Sequence, residues 1–314
     1  MPAEKTILEN GVRILTRNMP HARSVSLGVW VETGARDENP AESGLSHFIE
    51  HMIFKGTARR TAFQIAREFD SIGGQTNAFT SMENTCYHAR VMDTHLSKMV
   101  DILSDIFLSP VFDPVEVERE RAVIFQEISM TEDSPEEYIH VLSENAFWGD
   151  HAMGQPITGT RENIMGFSAD DIRNFFDRLY HPERIVIAAA GNLEHSRIVD
   201  LIGPAFASVR KKNGFPPRTK PQGKKGVFLH PRDTEQVHIC LETGGIPATD
   251  PRRYAAALMN TILGGNMSSR LFQETGAESA GLFCIPFLSS YTDTGVSGIY
   301  AGNIRDCGSS DRWN

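Results

Sequence analysis

Cysteine is scarce in this chain of 314 residues: four in all, at 86, 240, 284 and 307, with no C-x-x-C spacing. That scarcity excludes a disulfide-built scaffold and a thiolate metal cluster, and it suits a reducing compartment. Long apolar runs are missing too; no stretch reaches the eighteen residues or so that a membrane-spanning helix needs. Positive charge is in deficit, with 31 Lys and Arg against 40 Asp and Glu and a net charge of −9. This argues against nucleic acid as a principal partner. The first residues, Met1-Pro2-Ala3-Glu4-Lys5-Thr6, carry neither the basic and apolar blocks of a secretory signal nor an Arg- and Ser-rich transit segment. The expectation is a bacterial cytoplasmic protein without a membrane partner, with the mitochondrial matrix as the alternative compartment.

What is present is a globular mix, 23% charged and 40% hydrophobic, in a length that suits two domains. Its most informative stretch is His47-Phe48-Ile49-Glu50-His51. On a helix, positions i, i+3 and i+4 share a face, so His47, Glu50 and His51 converge on one point. Two neutral imidazoles suit Zn²⁺, and a carboxylate beside them can take a proton from a water there. The order H-x-x-E-H is the reverse of the commoner H-E-x-x-H and marks the inverted zincins. Alone, a pattern of three fixed letters also arises by chance. The flanks favour the metal: Gly44-Leu45-Ser46 before and Met52-Ile53-Phe54 after make an apolar helix, with Gly56 as its stop. A solvated histidine pair does not normally sit in so apolar a segment.

Periodicity predicts strands at 6–8, 12–16 and 25–32, the motif helix at 43–54 and a helix at 62–72. Strands at 75–80 and 85–91 follow, then helices at 95–109, 114–130 and 135–147. A helix at 169–180, a strand at 184–190 and a helix at 195–207 close a first half, residues 1–209. Residues 210–225, rich in Lys, Pro and Gly, read as a solvated linker. In residues 226–314 a strand at 236–242 and a helix at 252–263 echo the strand at 25–32 and the motif helix. The second copy carries Tyr254-Ala-Ala-Ala-Leu-Met-Asn260 where the first carries the His/Glu/His set.

Further segments fit one family. They are Thr33-Gly34-Ala35-Arg36-Asp37-Glu38, Gly73-Gly74-Gln75-Thr76-Asn77-Ala78-Phe79-Thr80, Tyr180-His181-Pro182, Ala188-Ala189-Ala190-Gly191-Asn192 and Leu263-Gly264-Gly265-Asn266-Met267-Ser268-Ser269-Arg270. With the motif they resemble the pitrilysin (insulinase) type of zinc metallopeptidase, in its processing-peptidase-like branch, over almost the whole chain. The resemblance implies an α+β fold of duplicated halves, each a mostly antiparallel sheet packed against helices, with metal only in the first. It implies zinc as cofactor and hydrolysis of unfolded peptides or presequence-like segments. A peptide is the expected substrate, and a homodimer or a related subunit the expected assembly.

That family takes its third ligand from a Glu some seventy to eighty residues beyond the second His. Glu127 lies 127 − 51 = 76 residues on, with Phe125 and Ile128 beside it. Glu120, two turns earlier on the same face, becomes an auxiliary carboxylate. Without the resemblance, 114–130 reads as an acidic, solvated helix. Asn77, Ala78, Phe79 and Thr80 correspond to an edge strand on which an extended peptide adds as a further strand; Glu83 has no role on this reading. Relatives also carry an R-G-L-A-Y signature whose Arg and Tyr reach the substrate. Here those positions fall on Ser279 and Phe283, or on Ala280 and Cys284 with a one-residue shift. The second half is short, about ninety residues against about two hundred, and so is expected to be incomplete. The alternative function is therefore a non-catalytic peptide-binding or scaffold homologue.

Overall fold

The computed structural model describes residues 2–209, 215, 217–278 and 283–304. In chain order the elements begin with β1 (Glu4–Ile7), β2 (Arg13–Asn18), β3 (Ser24–Val31), α1 (Leu45–Ile53) and α2 (Ala62–Ser71). Next come β4 (Gln75–Thr80), β5 (Thr85–Met92), α3 (Leu96–Leu108), α4 (Pro114–Asp133) and α5 (Pro135–Trp148). Then follow α6 (Arg161–Gly166), α7 (Ala169–Leu179), β6 (Ile185–Gly191) and α8 (His195–Phe206). The chain continues through β7 (Gln236–Gly244), α9 (Arg253–Gly264), α10 (Arg270–Glu278), β8 (Phe283–Ser290) and β9 (Gly295–Ile304). They form two compact units, Met1–Ile128 with Pro156–Arg218 and Ser129–Gln155 with Thr219–Asn314.

The first unit is built on a six-stranded sheet in the order β1-β2-β6-β3-β5-β4. Only β2 and β6 run parallel. Strand β3 shows why the sheet has one dry face. Val25, Leu27, Val29 and Val31 alternate inward and are buried, whereas Ser26 and Trp30 point the other way and are exposed. Against the inward row pack Phe48, Ile49 and Met52 of α1 and Met99, Ile102, Leu103 and Ile106 of α3, in one continuous core. Each such side chain contributes about 1.5–3 kcal/mol on leaving water. Strand β4 is the sheet's last: it pairs with β5, from Gln75 opposite Arg90 to Thr80 opposite Thr85. Among the described residues its other edge is open.

The second unit has a three-stranded antiparallel sheet in the order β7-β9-β8, with α5, α9 and α10. Along β7, His238, Cys240 and Glu242 are exposed less than a fully open face but Val237, Ile239 and Leu241 stand open to solvent. Helix α5 reaches this strand through Ser143, whose hydroxyl donates to Glu242 at 2.8 Å.

The α+β class and the duplicated sheet-and-helix plan agree with the sequence, and the boundaries differ in places. Helix α5 belongs with the second unit although 135–147 was expected in the first half. The first unit runs on to Arg218 instead of closing at 209. Within the expected linker, Phe215 packs against the first core and Arg218 is held by acidic groups of the same unit. Helices α6 and α10 and strands β8 and β9 have no counterpart among the predicted elements. Ser279 and Ala280 lie outside the described residues, and Cys284 sits in β8.

Candidate metal centre

Helix α1 is fixed before its ligands come into play. Its N-terminal amides, Gly44 N and Ser46 N, donate to the two oxygens of Glu38 at 2.8 and 2.7 Å. Glu38 is buried, and burial pushes its carboxyl up to about 8 against the pull of those amides. Gly44 begins the helix at φ +102°, and a Cβ there would lie 2.8 Å from Gly159 Cα; only glycine fits that turn and that contact. The helix then buries Leu45, Ser46, Phe48, Ile49, Met52 and Ile53, which leaves His47, Glu50 and His51 on the remaining face. The helix ends at Ile53. Gly56 lies beyond it at φ +136° and starts a bridge to Thr61 instead of capping it.

The two imidazoles meet through Nε2, 3.3 Å apart. From α4, the Oε2 of Glu127 comes to 3.4 Å from His47 Nε2 and 3.5 Å from His51 Nε2. A tetrahedral zinc with bonds of about 2.0–2.2 Å sets its ligand atoms roughly 3.3–3.5 Å apart, so the triangle fits that ion. Among the described residues this is the only His/Cys/Asp/Glu group close enough to hold a metal. Acidity fits as well. Burial, with His51 as a neighbour, holds His47 down at about 4, so its ring is neutral and able to ligate.

Glu120, which the resemblance implies as an auxiliary carboxylate, lies behind His51. Glu120 is buried, and its Oε2 meets His51 Nδ1 at 3.1 Å while Lys55 Nζ holds its Oε1 at 2.6 Å. A carboxylate on Nδ1 keeps the proton there and turns a bare Nε2 to the centre. Burial alone would depress His51; the bond to Glu120 and the charges of Glu127, Glu120 and Glu50 raise it overall. Glu120 is lowered in return, because His51 and Lys55 outweigh its burial. Elsewhere on α4 the acidic residues pair locally, Glu116 with Arg119 and Glu118 with Arg121. The solvated reading thus holds for the outer face of α4 and fails for the face carrying Glu120 and Glu127.

Glu50 makes a different contact. Thr80, the last residue of β4, donates its hydroxyl to Glu50 Oε2 at 2.5 Å. Burial raises the Glu50 carboxyl, against that bond and the charge of His51. The other edge residues divide by face. Ala78 packs on the core, whereas Asn77 is exposed and Phe79 lies edge-on to Trp30 at 5.5 Å on the opposite face. Glu83 is buried and bonded to Arg36 at 2.6 Å. Sequence reasoning missed Glu38, Lys55 and the Thr80–Glu50 bond. The only signal for them was their nearness to recognised motifs.

Two imidazoles on α1 and a carboxylate from α4, beside Glu50 and under a mostly antiparallel sheet, make the ligand pattern of the inverted-zincin class of metallopeptidases. Residues 13–161 match the profile of Insulinase (Peptidase family M16), and residues 166–307 that of the Peptidase M16 inactive domain. The chain belongs to this pitrilysin-type family, whose metal is zinc. It is 42% identical over 295 residues to the "uncharacterized zinc protease YmxG" of Bacillus subtilis, covering 94% of this chain and 72% of that one. An "uncharacterized zinc protease" of Streptomyces coelicolor is 39% identical over 307 residues, covering 95% and 67%. A protease from Helicobacter pylori superposes with a TM-score of 0.91 over 97% of this chain and 76% of its own, at 20% identity. That last likeness speaks to the fold alone. No helix among the described residues is long and apolar enough to cross a membrane.

Proposed function

We propose that this protein is a zinc-dependent endopeptidase acting on extended segments of unfolded or presequence-like peptides. His47, His51 and Glu127 hold the metal, Glu50 is the general base, and Glu120 orients His51. The observation that carries the reading is the Nε2/Nε2/Oε2 triangle with edges of 3.3 to 3.5 Å, next to Glu50. When bound, zinc supplies Lewis-acid polarisation of the scissile carbonyl. Glu50 takes the proton of the attacking water and passes it to the leaving amine. Its burial suits the task, since a raised carboxyl works as base and acid closer to neutral pH. The Thr80 hydroxyl fixes which Glu50 oxygen remains free. The open edge of β4, from Asn77 to Thr80, takes the peptide as an added strand. Backbone bonds then supply affinity with little demand on sequence.

The test is cleavage of a quenched peptide by the zinc-loaded chain and by Glu50→Gln, with metal content measured in both. Hydrolysis that vanishes in the variant while zinc stays is the expected result. Equal rates in the two proteins would remove Glu50 from its role, and zinc binding with no turnover in either would leave a peptide-binding homologue.

A further inference from the structure

The turn that ends the peptide edge is held by residues far away in sequence. Residues 81–84 connect β4 to β5 and close on themselves, with Ser81 N donating to Asn84 O at 2.8 Å. Against this turn lies the loop after β3. Ala35 N and Arg36 N donate to Ser81 O and Met82 O at 3.2 and 2.8 Å. A Cβ on Gly34 would fall 2.2 Å from Ser81 O, so the two backbones touch. Arg218, which the sequence places in a solvated linker, fastens both. Its Nε and Nη2 grip the Asp37 oxygens at 3.0 and 2.7 Å. Its Nη2 also donates to Glu83 O at 2.8 Å and to Glu32 O at 3.3 Å. Three residues earlier, the ring of Phe215 lies 3.6 Å below the Arg184 guanidinium, and Arg184 itself donates to Glu32 O at 2.8 Å.

An arginine that only neutralised a surface charge would stop at the carboxylate. This one is largely buried and spends its fork on two backbone carbonyls, one leaving β3 and one in the turn after β4. Among the described residues strand β4 has a sheet neighbour on one side only, and that turn ties its far end to the rest of the unit. Thr80, which bonds Glu50, is the residue just before it. Displacement of a strand end by about 1 Å is enough to misalign the backbone groups with which an added strand pairs.

We propose that Arg218 is a positioning residue that straps the β4–β5 turn and so holds the β4 edge in register to receive the peptide. The proposal rests on the edge-strand reading above. The strap acts on binding: the metal ligands sit on α1 and α4, which Arg218 does not touch among the bonds it makes.

The experiment compares the full chain with Arg218→Met, which keeps the stem and removes the fork. Three readouts are taken: zinc content, KM and kcat on a quenched peptide, and amide exchange in residues 75–84 without peptide. The expected result is unchanged zinc, a KM raised about tenfold with kcat within about twofold, and faster exchange confined to β4 and its turn. An unchanged KM, or a lower kcat at unchanged KM, overturns the proposal. Unchanged exchange at 75–84 overturns it as well, and does so even if the wild type cleaves nothing, in which case the endopeptidase reading falls separately. Should Arg218→Met lose its zinc or unfold, Arg218→Lys takes its place; it keeps the charge but cannot span Asp37 and both carbonyls, so a KM raised about threefold is the expectation and an unchanged KM the overturning result.

Discussion

The chain makes a strand and a helix twice, β3 with α1 and β7 with α9, and the two pairs differ in how much of the helix is fixed. Helix α1 buries six of its nine residues. Helix α9 has no buried residue; Tyr254, Leu258, Met259 and Ile262 are all more than half exposed. Where α1 carries His47, Glu50 and His51, the corresponding stretch of α9 is Tyr254-Ala-Ala-Ala-Leu-Met-Asn260. Three ligand atoms held 3.3 to 3.5 Å apart need side chains whose backbone cannot move. In the first unit the core supplies that rigidity on one face of α1, Glu38 at its start and Glu120 behind His51. Burial and chemistry therefore go together, and the helix that lacks the first also lacks the second.

The strongest way to sharpen this contrast is at Glu50. Glu50→Gln should lower kcat by about 10²–10⁴-fold with zinc retained. The same kind of change in α9, Asn260→Asp, should leave cleavage unaltered; steady-state kinetics on a quenched peptide read both.

Packing comes next. Phe48 is fully buried, with its ring edge-on to Phe167 at 6.4 Å, so Phe48→Ala should cost about 3–5 kcal/mol in unfolding free energy. Leu258→Ala on the exposed side of α9 should change it by less than about 0.5 kcal/mol. Urea titrations with one probe in each unit measure the pair. Costs of similar size would break the contrast drawn here.

Around the metal, Glu120→Gln should weaken zinc binding by about 10–100-fold, the usual cost of removing an outer partner. Glu127→Gln, which removes a proposed ligand, should exceed that. Competition against a chromogenic chelator ranks them, and equal zinc affinity in wild type and Glu127→Gln would show that the third ligand lies elsewhere.

The smallest effect is in pH, and its size differs between the units. In metal-free protein His47 titrates at about 4 against an ordinary 6.5. Between those values the unfolded chain takes a proton that the fold refuses, so His47 adds stability to the first unit as pH rises, while the buried Glu38 carboxyl, raised to about 8, removes stability over the same range. Glu144 is the reverse of His47. Burial, with Glu242 nearby, lifts it from 4.5 to about 7. The second unit therefore binds the extra proton in that range and loses stability as pH rises. Each slope is at most about 1.4 kcal/mol per pH unit. Amide exchange at pH 5 and 6.5, corrected for intrinsic rates, should quicken in β9 as pH rises and change much less in β3, where His47 and Glu38 oppose each other. Equal changes in the two strands would remove one of these groups from the account.

Much of the fold was legible. The 75–80 strand coincides with β4, set off by the Gly73-Gly74 turn, and the motif helix, α3 and α8 fall within two residues of expectation because their apolar residues recur at a helical period. Helix α6 escaped because six residues carry too little periodicity, and α10, β8 and β9 because resemblance weakens after Glu274. The outer acidic residues of α4 looked alike along the sequence. Only the fold distinguishes Glu118, which pairs with Arg121 on the surface, from Glu120, which is buried behind His51.

By itself, the sequence determined the helical face that carries His47, Glu50 and His51, since spacing along a helix fixes direction without any partner. It also determined the alternation that makes β3 a strand. What only the tertiary structure decided is everything that joins distant segments. Glu127 comes to within 3.5 Å of both imidazoles, Thr80 reaches Glu50, Glu38 caps α1, and Arg218 crosses from an apparent linker to Asp37 and Glu83. The reason is physical. Local spacing is set by backbone geometry, which every residue shares, whereas these contacts exist only where the burial of one core brings two remote stretches of chain together.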